Sequence, residues 1–139
     1  MKLGGGSDTY IATGHTGTDG IDTIEGGEGA GADTYDASAA TSRVMINLGS
    51  VAGEVMPNTA TGVDVAGTQR DSITGFENAY GGSGRDSLFG TNDPNELEGG
   101  ANHDFLFGFG GNDTLNGGFG NDVLTGGRGR DVLTGRRGP

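Results

Sequence analysis

From Gly81 to Thr134 the chain reads GGSGRDSLF GTNDPNELE GGANHDFLF GFGGNDTLN GGFGNDVLT GGRGRDVLT, six nonapeptides without a gap, and a seventh opens at Gly135. The first place of every unit is Gly. The eighth is always Leu: Leu88, Leu97, Leu106, Leu115, Leu124 and Leu133. The sixth carries Asp86, Asn95, Asp104, Asp113, Asp122 and Asp131. A register held at three places over six units is a repeat architecture, and its period decides the fold.

Places seven to nine put one apolar side chain between polar or variable neighbours, as in Thr114-Leu115-Asn116. In a strand, successive side chains alternate faces, so each Leu points inward and its neighbours outward. Places one to six are Gly-rich and must reverse the chain. Two nonapeptides then make one flat coil of strand, turn, strand and turn, about 18 residues in all. Coils stack with parallel strands about 4.8 Å apart. The expected fold is therefore all-β, a solenoid with a thin leucine spine.

Stacking at this period sets sixth-place residues above one another on two edges. One edge carries Asp86, Asp104 and Asp122, the other Asn95, Asp113 and Asp131. Carboxylates held at coil spacing repel, and their burial without a partner is costly. A hard divalent cation bound by carboxylate and backbone oxygens resolves both problems, and calcium prefers that ligand set. Magnesium demands a tighter octahedron and keeps its waters. The repeat region 81–134, ordered by so few apolar groups, is expected to fold only as the metal binds.

Composition agrees. The 139 residues include 32 Gly but only 3 Pro, and the glycines keep no three-residue register, which excludes collagen. Apolar residues are 31% with no Trp, too few for the layered core of an ordinary enzyme domain of this length. Nineteen acids against eight bases leave a formal charge of −11, which argues against nucleic acid as a partner and for cations. There is no Cys for disulfides or thiolate metal sites. No apolar run approaches the length of a membrane span. Residues 1–6, MKLGGG, lack the apolar segment of a cleaved signal.

The unit GGxGxDxUx, with U a large apolar residue, resembles the RTX (hemolysin-type) calcium-binding nonapeptide repeat. The six-residue turn matches fully at 81–86, 117–122 and 126–131. At 99–104 Asn102 takes the fourth place, where Asn tolerates the left-handed region, and at 108–113 Phe109 stands where the second Gly belongs. The resemblance implies a parallel β-roll in which each calcium lies between turns two repeats apart. Sixth-place carboxylates and carbonyls of the Gly-rich places hold it. Carried over, the pairs Asp86 with Asp104, Asp104 with Asp122, and Asp113 with Asp131 form the best sites. The contributing turn residues would be Gly82 and Gly84, then Gly99 and Gly100, then Gly108 and Gly111, then Gly117, Gly118 and Gly120, then Gly126, Gly127 and Gly129. The unit GTNDPNELE departs, so a site pairing Asn95 with Asp113 is expected to be weaker or empty.

Residues 1–80 keep the grammar more loosely. Asp8/Tyr10, Asp22/Ile24 and Asp33/Tyr35 repeat the Asp-x-apolar triplet at wider spacing, and Asp22 and Asp33 join the candidate metal ligands. Val44, Ile46 and Leu48 alternate as a half-buried strand. We read 1–80 as irregular coils with degenerate repeats and 81–139 as the regular β-roll, one continuous solenoid domain in which 39–80 form wider coils.

No catalytic arrangement is present: His103 sits at a variable turn place, His15 lies in a Thr/Gly loop, and there is no HExxH or phosphate-loop signature. The expected function is a calcium-binding, calcium-dependent folding module of a secreted bacterial protein, several ions per chain, and not an enzyme. For this module the resemblance implies export unfolded through a type I channel; alternatives are an ancillary C-terminal domain of a secreted protease, lipase or alginate epimerase, or an adhesin or ice-binding solenoid. The family usually carries a secretion segment after its repeats, whereas here the sequence runs only to Arg137-Gly138-Pro139. An open solenoid end is expected to support self-association.

Overall fold

The structure is a computed structural model that describes residues 1–12, 23–26, 31–49, 59–61 and 71–137. Its described elements are all strands: β1 (Thr9–Ile11), β2 (Thr23–Glu25), β3 (Thr34–Asp36), β4 (Met45–Asn47), β5 (Thr59–Thr61), β6 (Asp71–Thr74), β7 (Asn78–Gly82), β8 (Ser87–Phe89), β9 (Glu96–Ala101), β10 (Phe105–Gly110), β11 (Thr114–Gly120), β12 (Val123–Arg128) and β13 (Val132–Arg137). They form two sheets. One runs β1-β3-β7-β9-β11-β13 and the other β12-β10-β8-β4-β5-β6-β2. From β7 onward the chain alternates between the sheets at each strand, which is a β-solenoid with two strands per coil.

The register follows the leucines. Leu88 pairs with Leu106 and Leu106 with Leu124 in one sheet, and Leu97 pairs with Leu115 and Leu115 with Leu133 in the other. All these pairings are parallel and 18 residues apart, as the two-unit coil requires. Leu88, Leu97, Leu106 and Leu115 have no exposed surface, while Glu96 and Glu98 on either side of Leu97 are exposed. On the outer face Phe89 stacks on Phe107 with ring centroids 5.9 Å apart, so the same period is written in the ninth place.

Two features differ from the expected layout. Strands extend beyond places seven to nine into the Gly-rich stretch: β11 continues to Gly120, with Gly118 opposite Gly100 and Phe119 opposite Ala101. Parallel hydrogen bonding therefore persists into the first half of each turn, and the reversal is concentrated at places four to six. The second difference lies between β4 and β6. In place of wider parallel coils, β5 pairs antiparallel to both β4 and β6. Among the described residues β4, β5 and β6 follow one another in the same sheet, and consecutive strands that neighbour one another in this way run antiparallel. Pro57 and Asn58 lie outside the described residues.

The lower coils hold the bulkier core. Tyr35, Val44, Ile46, Leu48, Phe76 and Ala79 are buried together with the leucine spine. Tyr35 packs edge-on to Phe76 at 5.7 Å and tilted against Tyr10 at 5.3 Å. Ile46 continues the line of Leu88, and Tyr35 and Ala79 continue the line of Leu97. At the other end Leu124 is half-buried and Leu133 is 47% exposed. Among the described residues no helix is long and apolar enough to cross a membrane.

Candidate metal centres in the turns

Each sixth-place residue directly precedes a strand, so the stacked strands align these side chains into two columns. Within a column every member is tied to the next by one bond type. The backbone N–H of Asp86 donates to Asp104 Oδ1 at 2.8 Å, and that of Asp104 to Asp122 Oδ1 at 3.0 Å. On the opposite edge Asn95 N donates to Asp113 Oδ1 at 2.9 Å and Asp113 N to Asp131 Oδ1 at 3.1 Å. One carboxylate oxygen of each acid thus accepts from the coil beneath it.

The other oxygen is the informative one. Oδ2 of Asp104, Asp113 and Asp122 is buried and has no hydrogen-bond partner. A buried carboxylate oxygen without a donor costs free energy in the order of 1–3 kcal/mol or more, so each marks a place where a positive group belongs. Burial raises the carboxyl pKa of Asp104 to about 6, and the charges of Asp86 and Asp122 add to this, against the Asp86 N–H bond that lowers it. Burial also raises Asp86 and Asp113; for Asp113 the Asp131 charge adds to it.

First-place glycines exist because these carboxylates lie over them. A Cβ on Gly99 would come within 2.5 Å of Asp104 Oδ2, and one on Gly117 within 2.6 Å of Asp122 Oδ2. Gly108 and Gly126 stand in the same relation to Asp113 and Asp131. The second and fourth places adopt positive φ together: Gly100 (110°) with Asn102 (76°), Phe109 (73°) with Gly111 (101°), Gly118 (82°) with Gly120 (152°), and Gly127 (108°) with Gly129 (133°). Left-handed backbone at alternate positions lets the turn aim main-chain polar groups toward one spot. Carbonyls of one turn then point into the next: a Cβ on Gly118 would strike Gly100 O, on Gly120 Asn102 O, on Gly127 Phe109 O and on Gly129 Gly111 O. Among the described residues no three acidic or imidazole side chains converge. A cation here must therefore draw much of its coordination from main-chain oxygen, which suits calcium. The orphaned oxygens and the carbonyls beside them fit that ion.

The turn at 81–86 is built differently from its sisters despite its full sequence match. Neither Gly82 nor Gly84 has positive φ. Gly82 N donates to Asp86 Oδ2 at 2.9 Å and Val44 N to Asp86 Oδ1 at 2.8 Å, so both carboxylate oxygens are satisfied. The cause is its neighbour: this turn rests on 37–44, which is no repeat unit, and Ser83 N bonds to Ala40 O. The Asn95 turn likewise lacks positive φ.

Sequence reasoning missed two column members. Glu77 precedes β7 and takes the sixth place between Asp33 and Asn95; its Oε2 accepts from Asp33 N at 2.8 Å. Counting 18 residues back from Asn95 lands on it. Val44 takes the place below Asp86, with no acid and no period to reveal it. Asp33 is buried, and its Oδ1 accepts from Asp8 N at 2.8 Å, so Asp8, Asp33 and Glu77 continue the Asn95 column. Asp8 Oδ2 is also buried without a partner. Asp22 and His15 lie outside the described residues. His103 is exposed, and its Nδ1 accepts from Asn121 N at 2.9 Å, as Asn112 Oδ1 accepts from Arg130 N at 2.9 Å in the sister column.

The model of the RTX calcium-binding nonapeptide repeat matches residues 16–30, 80–108 and 107–139, in four copies, more than half of the chain. The chain belongs to the RTX calcium-binding nonapeptide repeat family. A search of curated proteins finds no match. RTX membership makes this a calcium-binding repeat protein of β-solenoid form, in a family typical of secreted bacterial proteins and known as a structural module. The first matched stretch, 16–30, includes Asp22.

Proposed function

We propose that this chain is a calcium-dependent folding module of a secreted bacterial protein, without catalytic activity of its own. The buried, partnerless Oδ2 atoms of Asp104, Asp113 and Asp122 carry the reading. Bound calcium supplies the positive charge that these oxygens lack. Asp104 with Asp122 and Asp113 with Asp131 are the principal ligand pairs, completed by carbonyls of the intervening Gly-rich places. Asp86 with Asp104 is a secondary pair, because both Asp86 oxygens already accept N–H bonds. The absence of Cys and the acidic composition suit an extracellular, calcium-rich setting. The half-open spine at Leu124 and Leu133 supports self-association of β12 and β13 edges; sedimentation at several protein concentrations in calcium tests it, and a monomer throughout removes it.

The function is tested by far-UV circular dichroism during a calcium titration with magnesium as control. Growth of β signal with calcium, and not with magnesium, is expected. A full β spectrum in excess chelator, unchanged by calcium, overturns the reading.

A further inference from the structure

The two turns below residue 99 close their sixth-place side chains with protein groups alone. Asp86 does so through Val44 N and Gly82 N. Asn95 does so in a way no ionised aspartate could. Its Oδ1 accepts from Thr91 N at 2.6 Å, and its Nδ2 donates to Glu77 O at 2.7 Å. Both partners are main-chain groups of fixed polarity, so they set the orientation of the amide. An ionised Asp at this place would set an oxygen against the Glu77 carbonyl. The Asn95 Nδ2–H thus sets a donor against the Glu77 carbonyl of the coil below, a carbonyl that in a metal-filled turn would face a cation.

The same level of the solenoid is closed in other respects. Glu77 N and Asn78 N both donate to Asp33 O, at 3.1 and 3.0 Å. Tyr35, Phe76 and Ile46 supply a larger apolar core here than the single leucines above. Above it, Asp104, Asp113 and Asp122 each keep a buried oxygen without a donor.

We propose that Asn95 is a built-in substitute for a calcium ion, so that the coils from β3 to β9 form a metal-independent foundation on whose β8 and β9 edges β10 to β13 assemble when calcium arrives. The proposal rests on the calcium reading of the upper turns. It divides the chain into a part that stays folded and a part that responds, with the boundary between Asn95 and Asp104.

Hydrogen exchange with mass spectrometry on the full chain, in chelator and in calcium, tests it. Amides of β3, β4, β7, β8 and β9 are expected to exchange at least about a hundredfold more slowly than an unfolded chain in both conditions, and those of β10, β11 and β12 only in calcium. Asn95→Asp is expected to abolish the protection of β7 and β9 in chelator and to regain it in calcium. Calcium-dependent protection spread evenly over β3 to β12 overturns the foundation while leaving the calcium reading in place. No calcium effect in any peptide overturns the calcium reading instead. An Asn95→Asp chain that exchanges like the parent in chelator, or that stays unprotected in calcium, overturns the role given to Asn95.

Discussion

Asp104→Asn separates the charge of the site from its hydrogen bonding. Asn keeps an oxygen to accept the Asp86 N–H, now at 2.8 Å, and removes the buried negative charge. In the metal-free fold the Asp104 carboxyl titrates near 6 instead of 3.8, first because it is buried and next because Asp86 and Asp122 flank it. A folded-state pKa above the unfolded value means that the folded chain holds the proton more tightly. The contribution of Asp104 to the metal-free coil is thus most favourable at or below pH 3.8, is lost as pH rises from 3.8 to 6, and is a full penalty above 6. A displacement of that size corresponds to up to about 3 kcal/mol, and to roughly half of that after solvent screening. Calcium must displace the same proton, so its affinity should climb as pH rises through 6. The assay is the calcium midpoint of the circular dichroism transition between pH 5 and 7.5. The parent midpoint should fall steeply across this range. Asp104→Asn should flatten that dependence and raise the midpoint at pH 7.5 at least about tenfold, or 1.4 kcal/mol. A variant with the parent's pH profile and midpoint would refute the placement of Asp104 in a cation site.

Other perturbations discriminate among the parts. Gly118→Ala places a Cβ against Gly100 O in a left-handed turn, with a cost of about 1–3 kcal/mol in backbone strain alone; the calcium midpoint should rise, and an unchanged midpoint contradicts the turn geometry. Leu106→Ala removes a fully buried spine residue and should cost about 2–5 kcal/mol in urea unfolding with calcium present. His103→Ala removes only an exposed acceptor for Asn121 N and should cost about 1 kcal/mol or less, far below any Asp104 variant that leaves Asp86 N unpaired. Equal effects at His103 and Asp104 would contradict the register.

Much of the solenoid is legible from Gly81 onward because three chemical demands repeat together. Leu must point inward, Gly must make room for the carboxylate over it, and the acid must precede the strand. The period of 18 gives both the sheet pairings and the two acidic columns. Legibility fails where a residue's role depends on what lies beneath it. The turns at 81–86 and 117–122 share their Gly and Asp places, yet only the second is left-handed at its second and fourth places. The first stands on the non-repeat segment 37–44 and spends its carboxylate on Val44 N and Gly82 N. Glu77 was hidden because its unit carries Glu for Asp and Ala79 for Leu, although the spacing to Asn95 and Leu97 is regular. The antiparallel β5 was hidden because its short Thr-Ala-Thr strand has no inward leucine to announce a coil.

The oxygens that the folded chain buries and leaves without donors are where a cation must bind. A crystal structure grown in ample calcium measures this most directly. It should show ions between the turns at 99–104 and 117–122, and between those at 108–113 and 126–131. Asp104, Asp113 and Asp122 Oδ2 should then lie about 2.3–2.6 Å from the metal. The same turns ordered as described, with those oxygens bound to water alone, would contradict it.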